Sequence, residues 1–93
     1  MPIVTLRYWA AAKEAAGVAE EKVDAPNLGA ALAAGLAAIA AEPDGGDRAE
    51  RLRLVLARSS FLVDGSPAGA RPHESVALAN EAVIEVLPPF AGG

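Results

Sequence analysis

The chain opens on a strand pattern. Residues Ile3 to Trp9 are β-branched and aromatic with Arg7 breaking the apolar run. A period of two puts Val4, Leu6 and Tyr8 on one face and Ile3, Thr5, Arg7 and Trp9 on the other. Thr5 and Arg7 mark the second face as the wetter one. The only tryptophan is therefore expected on a solvent-side surface, either covered by a loop or available to a partner. Ala10 to Ala16 has strong helix propensity and stops at Gly17, a natural residue to follow a helix. Glu20 to Asp24 reads as a second, edge-like strand that pairs back on the first as a hairpin, its Glu and Lys side chains solvating the edge.

The helical period takes over next. Asn27 follows Pro26 as a plausible N-cap, and Leu28, Leu32, Leu36 and Ile39 then form one apolar stripe. Gly29 and Gly35 each weaken this helix by about 1 kcal/mol relative to alanine, which packing on a sheet must offset. The helix must end before Pro43. Asp44-Gly45-Gly46 reads as a loop, with Asp47 as a candidate cap for a second, shorter helix holding Leu52, Val55 and Leu56. Leu52 to Leu56 also alternates well enough for a strand. Phe61-Leu62-Val63 is a strand ending in the turn Asp64-Gly65. Ser66 to Pro72 is a loop or short edge strand, Ser75 to Leu78 a brief strand or 3₁₀ turn, and Asn80-Glu81 a tight turn. Ala82 to Leu87 is the best strand after the first. Its Val83, Glu85 and Leu87 share the wetter face and Ala82, Ile84 and Val86 the other.

This order predicts one α+β domain, with a helix laid on one face of a mixed sheet. If the first and last strands are neighbours, Trp9 and Leu87 become apolar residues on a shared outer surface, which is a docking hypothesis.

Composition narrows the chemistry. The net charge is −4 and no Lys/Arg cluster with interleaved aromatics occurs, which argues against nucleic acid. The absence of cysteine excludes disulfides, thiolate metal sites and a cysteine nucleophile. Gly35, Glu42 and Pro43 interrupt the alanine-rich stretch, so no membrane span is expected. Met1-Pro2-Ile3-Val4 lacks the features of a signal peptide, and a cytoplasmic location is the expectation. His73 is the only histidine and reads as a surface residue, so no metal site is expected. Ser59, Ser60, Ser66 and Ser75 have no nucleophile motif around them, and Asp44-Gly45-Gly46-Asp47 lacks the lysine and strand of a phosphate loop. The pattern is that of a protein acted upon.

The sequence closes on Leu87-Pro88-Pro89-Phe90-Ala91-Gly92-Gly93. Pro88 and Pro89 have fixed φ and no N–H, so the last strand should end there. Extended, Pro88 to Gly93 could reach roughly 20 Å, at about 3.3 Å per residue, enough to enter another protein's active site. Glycine has no β-carbon to block a narrow channel. Gly93 is expected to be the working group, through an unhindered main-chain carboxylate, and the rest of the chain a handle. A closing Gly-Gly arises by chance in about 0.5% of chains, so its weight comes from the Pro-Pro before it and the domain behind it.

Two stretches carry a resemblance: Val4-Thr5-Leu6-Arg7-Tyr8-Trp9-Ala10 with Lys13-Glu14-Ala15-Ala16-Gly17, and Val83-Ile84-Glu85-Val86-Leu87 running into the tail. They resemble the MoaD/ThiS family of ubiquitin-like sulfur carriers, above all the small subunits of molybdopterin synthase. Asn80-Glu81-Ala82 departs from the family's usual Asp-Gly-Asp, and the middle, Asp44 to Arg58 and Ser66 to Pro72, is longer. The resemblance implies a β-grasp fold: a mixed four- to five-stranded sheet, one long helix on one face, and one or two short helices. Residues 1–87 would form the domain and 88–93 the tail. It also implies a cycle. An E1-like adenylyltransferase would use ATP to adenylate Gly93, and a sulfur donor enzyme would convert the acyl-adenylate to a thiocarboxylate. The large subunit of molybdopterin synthase would then take the tail and its sulfur. No cofactor would be bound by the chain itself. Trp9, Leu87 and Phe90 would be the docking residues by this analogy. Other outcomes are a thiocarboxylate carrier for thiamin, cysteine or a secondary metabolite, a modifier joined to lysines through Gly93, or an interaction domain with an idle tail.

Overall fold

The computed structural model describes residues 1–89. Strand β1 (Ile3–Tyr8) leads through helix α1 (Ala10–Ala16) to β2 (Glu20–Asp24). Helices α2 (Leu28–Ala40) and α3 (Gly45–Leu56) follow, then β3 (Ser60–Val63), β4 (Ser66–Pro67), a 3₁₀ turn (His73–Ser75) and β5 (Val83–Leu87). The five strands form one sheet in the order β2-β1-β5-β3-β4. The first and last strands are parallel neighbours, Arg7 opposite Glu85, and the other pairs are antiparallel. β5 therefore lies at the centre of the sheet, hydrogen-bonded on both sides.

The two faces divide as the alternation requires. Val4, Leu6, Tyr8, Val23, Phe61, Ile84 and Val86 are buried under the helices. Thr5, Arg7, Val83, Glu85 and Leu87 are half-buried on the outer face. α2 is capped by Asn27, whose Oδ1 accepts from the Ala30 N–H at 2.8 Å. Its stripe of Leu28, Leu32 and Ile39 is buried and Leu36 partly so. At Gly35 this helix comes close against the sheet. A β-carbon there would lie 2.6 Å from Leu6 Cδ1 and 2.8 Å from the Tyr8 hydroxyl oxygen. The glycine that weakens the isolated helix thus lets the helix settle on β1.

The segment after Pro43 corrects the sequence reading. Gly45 and Gly46 are not loop but the first turn of α3, which runs for 12 residues, nearly the length of α2. Asp44, not Asp47, holds the N-cap position, in a left-handed conformation (φ 60°) and without a side-chain cap. A β-carbon at Gly45 would lie only 1.8 Å from the Ile39 carbonyl oxygen, so the tight α2–α3 corner needs glycine. Leu52 to Leu56 is helical, not a strand, because Leu52 and Leu56 bury one face among α1 and α2 while Leu54 stays exposed. Arg48 ties α3 to the end of α1, its Nε and Nη2 both donating to the Ala16 carbonyl at 3.2 and 2.6 Å.

The turns behave as their residues dictate. Asp64 and Gly65 both have positive φ, 49° and 83°, as a two-residue hairpin turn requires. Asp64 Oδ1 also accepts from the Val83 N–H at 2.9 Å. At the Asn80-Glu81 turn, Asn80 Oδ1 accepts from the Ile3 N–H and the Glu81 N–H donates to the Ile3 carbonyl. These bonds fix where β5 starts, and so where it exits.

Candidate functional site

β5 leaves the sheet at Leu87 and delivers Pro88 and Pro89 beside the start of α1. There the chain forms an open groove of about 600 Å³, with Trp9, Ala10, Ala11 and Glu14 on one side and Leu87, Pro88 and Pro89 on the other. Its lining is mostly apolar. A second depression of about 620 Å³ lies across Trp9, toward Lys13, Gly17 and Val18. Trp9 is 46% exposed and stands between the two. The expectation of a solvent-side tryptophan near Leu87 therefore holds, and the structure brings these two predicted residues together with Pro88 and Pro89. Phe90, Ala91, Gly92 and Gly93 lie outside the described residues.

Local geometry sets the position of Trp9. Its N–H donates to the Val86 carbonyl at 3.3 Å, and its own carbonyl accepts from the Ala12 N–H at 3.0 Å, which starts α1. The strand-to-helix corner is made by Ala10 at φ 48°, a conformation alanine adopts only under strain. The indole Nε1–H donates to Glu85 Oε1 at 3.2 Å. Four participants were missed by sequence reasoning: the α1 residues Ala10, Ala11 and Glu14 as groove wall, and Glu85 as the partner of the indole. The alternation did place Trp9 and Glu85 on wet faces, but only the parallel register of β1 on β5 makes them neighbours.

Elsewhere the polar groups serve the fold. The Tyr8 hydroxyl donates to Glu21 Oε1 at 2.6 Å beneath α2. Burial first, then this carboxylate, pushes the phenol far up and keeps it protonated. Burial also raises the Glu21 carboxyl, with the Tyr8 hydrogen bond opposing the rise. His73 packs edge-on against Phe61, ring centroids 5.1 Å apart. The Ser59 and Ser75 hydroxyls donate to the carbonyls of Val55 and Pro72, which close local turns rather than arm a nucleophile. Among the described residues no group of three His, Asp or Glu side chains could hold a metal ion. Among them, too, no helix is long and apolar enough to cross a membrane.

The architecture is the β-grasp fold: a mixed five-stranded sheet with three helices, one of them crossing the sheet on the face opposite the Trp9 groove. No protein-family model matches the chain, and no curated protein sequence does. Solved structures do match. The small archaeal modifier protein 1 (SAMP1) from Methanosarcina acetivorans superposes with a TM-score of 0.73 at 20% identity, over 100% of this chain and 98% of that one. SAMP1 from Haloferax volcanii gives 0.71 at 23% identity, over 98% and 99% of the two chains. One chain of the complex of subunits 1 and 2 of molybdopterin-converting factor from Helicobacter pylori gives 0.58 at 23% identity, over 98% and 99%. At such identities the likeness is one of fold, and it spans the chain from end to end.

Proposed function

We propose that this chain is a ubiquitin-like sulfur carrier of the MoaD type, with Gly93 presenting the reacting carboxyl group. One observation carries the reading. A central strand, held on both sides by β1 and β3, feeds two prolines into an apolar groove beside an exposed tryptophan. A rigid base, a stiff lead and a nearby docking surface are what a threaded tail needs. Proline restricts the lead to extended conformations, so less freedom is lost when the tail enters a partner.

The chemistry follows from the poor reactivity of a carboxylate. An activating enzyme of the E1-like type joins the Gly93 carboxylate to the α-phosphate of ATP and releases pyrophosphate. Hydrosulfide delivered by a donor enzyme then attacks the acyl carbon, AMP leaves with the C–O bonding pair, the S–H proton passes to solvent, and a thiocarboxylate remains. In the molybdopterin synthase reading, a large subunit binds the Trp9–Leu87 surface and takes up the tail. The likeness to a chain of the Helicobacter pylori complex supports that partner. A client other than a pterin would leave the tail chemistry unchanged.

A second reading has its own support, because three of the matched structures are of proteins named small archaeal modifier protein 1. There, a lysine amine of another protein attacks the same acyl-adenylate, AMP leaves, and an amide forms. Intact mass after incubation with an activating enzyme, ATP and a sulfur donor separates the two. Replacement of one oxygen by sulfur fits the carrier, and a ladder of amide-linked adducts fits the modifier. An unchanged mass in every case, with Gly93 removable at no loss, leaves neither standing.

A further inference from the structure

Trp9 is hydrogen-bonded at its backbone and half-exposed at its ring. The main chain is bonded to Val86 and Ala12, whereas among the described residues the half-exposed indole has a single polar tether, the 3.2 Å bond from Nε1–H to Glu85 Oε1. Glu85 occupies the middle of the central strand, with Arg7 opposite it in β1 and Leu62 in β3. Arg7 forms its ion pair with Glu20, at 3.6 Å, and among the described residues no Lys or Arg pairs with Glu85. A carboxylate at this place adds nothing to the core, and among the described residues its one side-chain hydrogen-bond partner is the indole.

We propose that Glu85 is the positioning residue of the docking groove: its carboxylate clasps the Trp9 indole across β1 and β5 and holds the ring as a wall beside the root of the tail. The proposal rests on the reading of that groove as the docking surface. An untethered indole on a fixed backbone samples several staggered rotamers, and Trp9 borders both depressions, so each rotamer gives the groove a different width. A partner that fits one rotamer binds more weakly in proportion to the fraction of chains not displaying it. The tether removes that loss in advance.

Because the chain has one tryptophan, its fluorescence and indole N–H resonance report this ring alone. Glu85→Gln keeps an acceptor oxygen and Glu85→Ala removes it. Glu85→Val also removes it while preserving strand propensity, should alanine weaken β5. Wild type and Glu85→Gln should share emission maximum, quenching by acrylamide and indole shift. The other two variants should show red-shifted emission, faster quenching and an upfield indole N–H, with urea midpoints close to wild type. With an activating enzyme and ATP, they should raise KM for this protein by about three- to tenfold at unchanged kcat, and Glu85→Gln should restore it. An indole signature that does not respond to loss of the acceptor overturns the clasp, as does Glu85→Gln behaving like Glu85→Ala. A wild-type chain that no activating enzyme adenylates, beside an indole that does respond, upholds the clasp and overturns the carrier reading.

Discussion

Tyr8 and Trp9 are adjacent in sequence and opposite in use. Both are aromatic, and each donates one hydrogen bond to a glutamate, Tyr8 to Glu21 and Trp9 to Glu85. Tyr8 is 2% exposed beneath α2, while Trp9 is 46% exposed at the edge of a groove. Beneath the helix Tyr8 is shielded from solvent, so the bond to Glu21 satisfies a hydroxyl that would otherwise be orphaned. On the outer face water competes, so the bond to Glu85 contributes little to folding and is free to set a ring's orientation. One donor–acceptor pairing thus holds the fold together on one side of β1 and shapes a surface on the other. Burial, not residue type, decides which.

The sharpest way to break this comparison is to truncate each ring. Tyr8→Ala should cost about 3–5 kcal/mol in urea unfolding, because it empties a core site and strands Glu21. Trp9→Ala should cost only about 1–2 kcal/mol, since half the ring is already in water, yet it should weaken association with an activating enzyme more than Tyr8→Phe does. Equal losses of stability from the two truncations would mean that Trp9 is core. Next in size is Gly35→Val, expected to destabilise by about 2–3 kcal/mol through its collision with Leu6 and the Tyr8 hydroxyl, with little effect on groove binding.

The smallest effect is on pH dependence. The Glu21 carboxyl is raised, first by burial, so the folded state holds its proton more tightly than the unfolded chain does. That contribution is complete below the ordinary glutamate range and is lost as pH rises through the raised folded value. Stability measured from about pH 4 to about pH 7 should therefore contain a declining component that Glu21→Gln removes. A pH profile unaltered by Glu21→Gln would remove burial of this carboxylate from the account.

Much of the inner side of this comparison was legible in the sequence. The alternation of Val4, Leu6 and Tyr8, the cap at Asn27 and the stop at Gly17 are local signals, and each describes the fold it forms. Gly45 was illegible because its reason is tertiary: a pair of glycines reads as loop until the Ile39 carbonyl is seen to need the space. The outer side was half legible. Trp9, Leu87, Pro88 and Pro89 could be listed from the pattern of faces and breakers, but Glu85 could only look like a solvated charge. Its link to Trp9 depends on the register of two strands separated by most of the chain, and on an alanine at φ 48° that the run Ala10-Ala11-Ala12 does nothing to announce.

The role of Gly93 is tested most plainly by the mass of the C-terminal peptide from the protein isolated from its own cells. The sample should be handled without oxygen and treated with an alkylating agent that traps thiocarboxylates. A sulfur carrier should yield a peptide ending at Gly93, part of it carrying the trapped sulfur. A chain that continues past Gly93, or a Gly93 found only as a free carboxylate while its deletion leaves the cells unaffected, would contradict that role.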